Sequence, residues 1–244
     1  MQWWWISAAS LAIAVPTAAQ VQTQNDASGQ RVPDTMEARV AACIGCHGVA
    51  GRGVDNVYFP RLAGKPAGYL YNQLVAFRDG RRKYVPMNYL LAYLPDTYLY
   101  KMAEHFAAQN PPPLVNPPVK ASSEQVRDGQ RIVTQGVPAK QLPACVTCHG
   151  TGLAGREPGI PGLLGLRADY VSAQLGAWRY GVRTALAPDC MQVIASSMTE
   201  AEVAAVSAYL ASLPVTDARP AQAAQGSLPM PCGSQVHPNG GKRP

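Results

Sequence analysis

Apolar positions recur at helical spacing in four segments of the chain, and each segment predicts an α-helix. Glycines and capping residues stand at the ends of these segments, where helices begin and stop. The last of them follows Thr199 to Glu202, which form a capping-box sequence. The pattern predicts an all-α fold. Its four segments are residues 69–80, 96–109, 122–133 and 199–210.

Residues 1–19 are almost wholly apolar and carry no charged side chain. Small residues at positions 17–19 suit signal peptidase, so we predict a signal peptide that is cleaved before Gln20. The segment lacks the usual basic residues near its start, which leaves the alternative of an uncleaved anchor that holds the protein at a membrane surface. It is short for a membrane span. In both cases the rest of the chain is exported, and the expected location is the periplasm.

A proline-rich run divides the chain, and the helical pattern restarts after it. Such a run favours polyproline II and acts as a stiff spacer. We therefore predict a first domain at residues 20–110, a linker at 111–120 and a second domain at 121–213. Residues 214–244 are rich in Pro, Gly, Ala and Gln, and are expected to form a flexible tail.

The two predicted domains repeat one sequence pattern. Residues between Pro60 and Gly80 recur in the second domain at an offset of 101 positions, so that Tyr69 and Gln73 reappear as Tyr170 and Gln174. The small changes of offset elsewhere fall in loops. The pattern indicates the duplication of one domain, with too few copies for a solenoid.

Each copy contains the sequence Cys-x-x-Cys-His, the attachment signature of a c-type heme. Two thiols on one helical turn can form thioethers with the porphyrin vinyl groups, and the adjacent histidine can then bind the iron. Zinc binding and thioredoxin-like dithiol chemistry are the alternatives for a cysteine pair. Two heme c groups are the predicted cofactors. The predicted attachment residues are Cys43, Cys46, Cys145 and Cys148, and the predicted proximal iron ligands are His47 and His149.

A methionine is the usual sixth ligand in His/Met electron carriers. Met87 and Met191 lie 40 and 42 residues after the two histidines, in what the pattern predicts to be equivalent loops before the last helix of each domain. We predict that both bind iron. The other candidates have no matched partner in the repeat or lie at apolar helix positions, where a methionine usually belongs to the core. They are Met102, Met198, Met230, His105 and His237.

The formal net charge is +6, and the basic residues are dispersed along the chain. This distribution differs from the basic stripe of a nucleic-acid-binding protein, so no nucleic-acid partner is expected. The run Arg81-Arg82-Lys83 is the exception. It is interpreted either as a contact to heme propionates and a partner or as a solvated loop.

These motifs resemble the cytochrome c4 family of diheme cytochromes. The resemblance is carried by the paired Cys-x-x-Cys-His sites, by the Tyr-Leu-x-x-Gln-Leu helix repeated at Tyr69 and Tyr170, and by the Leu142 to Gly150 entry into the second site. It covers about residues 35–213. It implies two tandem all-α cytochrome c domains, each wrapped around one covalently bound heme. It also implies that the carbonyl groups of Pro60 and Pro161 accept a hydrogen bond from the proximal imidazoles.

Two cysteines remain outside the attachment signatures, Cys190 and Cys232. An oxidising compartment favours a disulfide between them, which would tie the tail down beside Met191. Two free thiols or an intermolecular bond are the alternatives.

The expected function is the transfer of single electrons between respiratory partners, with a redox protein as donor and another as acceptor. These partners would be a respiratory complex, a dehydrogenase or a terminal oxidase. No nucleophile or general base points to an enzyme. One alternative is a cytochrome subunit that stays docked to a dehydrogenase or oxidase. The other is a diheme peroxidase-like enzyme with one open heme, which the matched methionines disfavour.

Overall fold

A computed structural model of the chain describes residues 24–25, 31–56, 58–214, 221–223 and 226–235. The predicted signal segment lies outside these residues. In the first half of the described chain the helices are α1 (Met36–Arg39), α2 (Ala41–His47), α3 (Ala67–Arg78), α4 (Val85–Leu91) and α5 (Asp96–Ala107). In the second half they are α6 (Ser123–Gln135), α7 (Cys145–His149), α8 (Ala168–Arg179), α9 (Cys190–Ser197) and α10 (Glu200–Ser212).

Strands are few and short in the described residues, so the all-α prediction is confirmed. Two antiparallel pairs of two residues each are present: β1 (Gln24–Asn25) with β2 (Arg31–Val32), and β3 (Gly155–Arg156) with β4 (Ile160–Pro161). Single 3-10 turns occur at Val49–Gly51, Pro138–Lys140 and Gly233–Gln235.

Side-chain hydrogen bonds cap the first turns of several helices. The Thr35 hydroxyl accepts a hydrogen bond from the Ala38 amide, and Ser122 caps α6 in the same way. At α10 Thr199 accepts from the amide of Glu202, while the Glu202 carboxylate accepts from the amide of Thr199. These bonds satisfy amides that the first turn of a helix leaves without a backbone partner.

The buried apolar side chains form two separate clusters, one in each half of the chain. Residues from α3 and α5 dominate the first cluster, and residues from α6, α8 and α10 dominate the second. The first cluster is built on Val40, Leu70, Tyr71, Val75, Phe77, Leu91, Leu99, Met102, Ala103 and Phe106. The second is built on Ile132, Val133, Leu142, Leu153, Val171, Leu175, Ala195, Met198, Val203, Val206 and Leu210. Two cores in sequence order make two tandem domains.

The methionine-bearing segments are short helices, which differs from the predicted loops. Met87 lies on α4 and Met191 on α9. Pro86 occupies the first turn of α4, where a proline costs no hydrogen bond. The Asp189 carboxylate caps α9 by accepting from the Gln192 amide. Periodicity missed both helices because each is only seven or eight residues long.

The two domains meet at a pair of arginines that are equivalent in the repeat. Arg82 donates to the side-chain oxygens of Gln73 at 3.1 Å and of Gln174 at 2.9 Å. Arg183 donates to the same two oxygens, at 2.6 Å in each case, and is only 3% exposed. Arg82 therefore belongs to the domain interface rather than to a solvated loop. A buried network of this kind fixes one arrangement of the domains when its members are satisfied.

The linker has no helix or strand and is attached to both domains. Arg61 of the first domain donates to the carbonyl oxygens of Pro111 and Pro112. Asn116 donates to the carbonyl oxygen of Leu166 in the second domain at 3.1 Å. These bonds hold the stiff spacer against the protein.

Replacing Gly129 by Ala is expected to destabilise the second domain. Gly129 lies where α6 crosses α10, and a Cβ atom there would stand 2.0 Å from the carbonyl oxygen of Ala205. The helices must separate to relieve this contact, at a cost of about 1–3 kcal/mol in the free energy of unfolding. Urea titration followed by circular dichroism measures the effect.

The control for this substitution is Gly176→Ala on α8. A Cβ atom at Gly176 meets nothing within 4 Å. Alanine is the better helix former, so the control should leave stability unchanged or raise it by roughly 0.5–1 kcal/mol. Equal losses in the two variants would show that the α6–α10 crossing does not require a glycine.

Candidate heme sites

Each Cys-x-x-Cys-His sequence forms a short helix that ends at its histidine. The helices stop because Gly48 and Gly150 follow with φ angles of 72° and 83°, which favour glycine. The histidine side chains are buried, with 8% of each exposed. His47 Nδ1 lies 3.0 Å from the carbonyl oxygen of Pro60. The equivalent distance in the second domain, from His149 to Pro161, is 2.8 Å.

These contacts determine which nitrogen of each imidazole is available to bind a metal. A carbonyl oxygen only accepts hydrogen bonds, so Nδ1 of each ring must carry the proton and donate it. Burial lowers the pKa of His47 and of His149, an effect that outweighs the opposing carbonyl contacts. The rings are therefore neutral, and Nε2 of each keeps a lone pair that can bind a metal.

The attachment cysteines form no disulfide with each other. Burial raises the pKa of Cys43 and of Cys148, and raises the pKa of Cys145 to about 11. Redox-active Cys-x-x-Cys pairs have a lowered pKa, because the thiolate is their reactive form. The partly buried thiols of Cys43, Cys145 and Cys148 are thus held as neutral groups, which is unlike a thioredoxin-type site.

A cavity in the second domain brings the predicted ligands of that domain together. Both cysteines of the second signature line it, together with His149 and Met191. The rest of the wall is mostly apolar. It includes Leu163, Leu166, Val171, Leu175, Trp178, Ile194, Met198, Val206 and Leu210. A flat apolar ring with a metal at its centre needs such walls, two thiols and an imidazole, so the residues fit a covalent heme.

The first domain repeats part of this arrangement. Met87 and Cys43 both pack against its core. The Phe59 ring stands edge-on to His47 with centroids 6.3 Å apart, and Tyr84 packs against Phe59 in turn. The Phe59 ring and the Pro60 carbonyl oxygen therefore both contact the imidazole of His47. The first site is thus supported by aromatic rings.

A family model described as Cytochrome c matches this chain twice, over residues 27–128 and over residues 126–214. The chain belongs to the cytochrome c family. The two matches contain the two Cys-x-x-Cys-His helices and both proline carbonyls. Two cytochrome c domains carry two heme c groups, so both cofactor predictions are confirmed.

Several known proteins are similar to this chain over most of their length. The chain is 35% identical over 185 residues to a protein named thiosulfate dehydrogenase electron acceptor from Thiomonas intermedia (strain K12), covering 75% of this chain and 83% of that protein. It is 35% identical over 182 residues to cytochrome c4 of Pseudomonas aeruginosa, covering 72% and 86% respectively. The predicted resemblance to cytochrome c4 is therefore confirmed, and the protein is a diheme electron carrier of that type.

A solved thiosulfate dehydrogenase from Marichromatium purpuratum has the same fold over part of its length. The TM-score is 0.64 and the identity 31%, and the match covers 71% of this chain. It covers only 36% of that longer chain.

Residues 221–223 and 226–235 of the predicted tail lie among the described residues and contact the rest of the protein. The structure joins Cys232 to Cys190 in a disulfide. Gln222 pairs with the backbone of the second domain beside Arg156, and the Ser234 carbonyl accepts from Asn72 of the first domain. The described part of the tail is therefore packed against both domains.

The tail also contributes to the second heme cavity. Three of its residues line this cavity, namely Leu228, Met230 and Cys232. The composition of the tail does not predict its place in the cavity wall, because the other residues of the wall lie far away in sequence. Of the remaining candidate ligands, Met102 and Met198 are buried core residues, as predicted. His105 lies on α5, 3.6 Å from Glu37, and His237 lies outside the described residues.

In the part of the chain that the structure describes, every helix is too short or too polar to span a membrane.

Proposed function

We propose that the protein is a periplasmic carrier that accepts single electrons from a dehydrogenase and passes them to a respiratory acceptor. The observation that carries the proposal is the pair of matched sites, each with a neutral imidazole oriented by a proline carbonyl. The names of two similar proteins support the donor. One is named an electron acceptor of thiosulfate dehydrogenase, and the other is itself called a thiosulfate dehydrogenase. Thiosulfate dehydrogenase is accordingly the proposed donor.

Each site would hold its heme through four side chains. The cysteines of each signature would form the two thioethers, and His47 or His149 would bind iron through Nε2. Met87 and Met191 would supply the sixth ligand. Bound heme supplies a reversible one-electron change at iron. The carbonyls of Pro60 and Pro161 keep each imidazole in one orientation and raise its basicity.

The protein's part in electron transfer is to keep these groups still. The cavity walls exclude water from the second site, and the thioethers would prevent the ring from shifting. The arginine–glutamine network holds the two sites at a fixed separation. Little then needs to move when an electron arrives or leaves, so the barrier to transfer stays small.

A second candidate function is a cytochrome subunit that stays bound to its dehydrogenase. It is favoured by the similarity of this chain to 36% of a longer thiosulfate dehydrogenase chain. Size-exclusion chromatography of the native periplasmic extract separates the two candidates. A free carrier elutes at the mass of the single chain, and a subunit elutes with its enzyme.

Anaerobic mixing of the oxidised protein with thiosulfate and purified thiosulfate dehydrogenase tests the donor. We expect both hemes to become reduced, as seen in the visible spectrum, and no change when the dehydrogenase is omitted. Reduction by thiosulfate alone would instead indicate an enzyme. No reduction in the complete mixture would exclude this donor.

A further inference from the structure

The wall of the second heme cavity is completed by the first domain. Three side chains from the start of the first domain's α3 region line it, namely Lys65, Tyr69 and Gln73. Tyr69 and Gln73 also take part in the hydrogen bonds to Arg183. Lys65 takes no such part. It nevertheless lines this cavity, most of whose wall belongs to the other domain, and it also lines the open cleft where the two domains meet.

The charges that line this cavity are not balanced within the protein. The cations are Lys65 and Arg183, and the carboxylate is that of Asp189. The Asp189 oxygens accept hydrogen bonds from the amides of Ala185 and Gln192, which fixes them at the start of α9. Arg183 is held by the two glutamines. Among the described residues, Lys65 forms no ion pair.

An unpaired cation in such a place is costly unless it meets negative charge. Burial lowers the pKa of Lys65, the Tyr69 hydroxyl opposes this, and Arg61 and Arg82 lower it further. Lys65 and His149 line the same cavity, which brings this cation near the proximal imidazole of the second site.

The repeat shows that this lysine is specific to one domain. At the offset of 101 positions, Lys65 corresponds to Leu166. The duplicated scaffold accommodates an uncharged side chain at this position. The difference makes the electrostatic surroundings of the two hemes unequal.

We propose that Lys65 tunes the second heme from across the domain boundary, raising its reduction potential relative to a cavity without this charge. Reduction removes one positive charge from the iron centre. A fixed cation nearby in a low-dielectric cavity therefore favours the reduced form. The inference rests on the proposed function, because it places the second heme in this cavity.

The test is a potentiometric titration of the holoprotein that resolves the two hemes. Lys65→Leu takes its side chain from the repeat, and Lys65→Arg keeps the charge. We expect Lys65→Leu to weaken reduction of the second heme three- to tenfold, a fall of about 30–60 mV for one electron. The reduction potential of the first heme should be unchanged. In Lys65→Arg the potential of the second heme should move by less than a third of that shift. Met87→His and Met191→His, made separately, identify each heme by its altered spectrum.

Lys101→Leu is the matched control, because Lys101 is an exposed lysine of the same domain. It removes the same charge from the surface, where water screens it. Equal shifts in Lys65→Leu and Lys101→Leu would overturn the proposal, as would a shift confined to the first heme or no shift. Heme content and thermal unfolding of each variant show whether its fold is kept. If Lys65→Leu does not fold, Lys65→Gln gives the same comparison.

Failure of the proposed function would be seen separately. If oxidised Met191→His protein showed no change in its Met-to-iron charge-transfer band, the second heme would not be ligated by Met191. That result concerns the site and not Lys65. An intact band with an unmoved potential in Lys65→Leu would contradict the tuning role alone.

Discussion

Replacing Cys145 and Cys148 together by Ser is expected to reduce the covalent heme content from two groups per chain to one. A serine hydroxyl does not form the thioether, so the second ring would be held only by its ligands and the cavity wall. Both cysteines line that cavity with the core residues of the second domain. Loss of the ring would leave this core unfilled, and we expect the second domain to be destabilised by several kcal/mol, on the order of a large cavity.

Mass spectrometry of the denatured protein gives the number of attached hemes directly. The matched variant is the double replacement of Cys43 and Cys46, which should remove the other heme and leave the second. Cys190→Ser is the control, since it alters a cysteine outside both signatures and should leave both hemes attached. A double variant at 145 and 148 that still carries two covalent hemes would refute the assignment.

Replacing Met191 by Ala is expected to open the sixth position of the second heme. The ferrous protein should then bind carbon monoxide at one heme, and the Met-to-iron charge-transfer band of that heme should disappear. Loss of a thioether ligand that favours the reduced state should also lower the potential, by roughly 0.1–0.3 V out of the span of about 0.8 V that axial ligands control. Visible spectra with and without carbon monoxide measure this.

Two other methionines line the same cavity and make the test specific. Met198 is a buried core residue, and Met230 comes from the tail. Met198→Ala should cost about 2–5 kcal/mol of stability without opening the iron to carbon monoxide. Met230→Ala should leave the iron closed as well. Carbon monoxide binding in Met230→Ala but not in Met191→Ala would mean that the tail supplies the ligand.

The described part of the tail, residues 221–223 and 226–235, makes contacts that composition does not predict. Its content of Pro, Gly and Gln predicts a flexible segment, yet Gln222 and Ser234 hydrogen-bond to the two domains and Cys232 is joined to α9. A disulfide and a few backbone hydrogen bonds can order a segment that buries little apolar surface. Composition does not reveal such partners, because each of them lies far away in sequence.

The sequence by itself determined what depends on neighbouring residues. The spacing in Cys-x-x-Cys-His places two thiols and an imidazole on one helical turn, and the caps at Thr35, Ser122 and Thr199 act within three residues. The repeat identified two copies of a domain because duplication preserves spacing. Both heme signatures and the all-α fold could be predicted for this reason.

Only the tertiary structure decided what lies between the two domains. Arg82 and Arg183 are equivalent in the repeat, and so are the two glutamines that they contact, each pair at an offset of 101 positions. Nothing in the neighbouring sequence distinguished these two arginines from the others. Lys65 lines the cavity of the other domain, and residues of the tail line the same cavity. Each of these contacts joins residues many positions apart. They depend on burial, on hydrogen bonds and on a disulfide, which are set by how the domains pack and not by the order of residues along the chain.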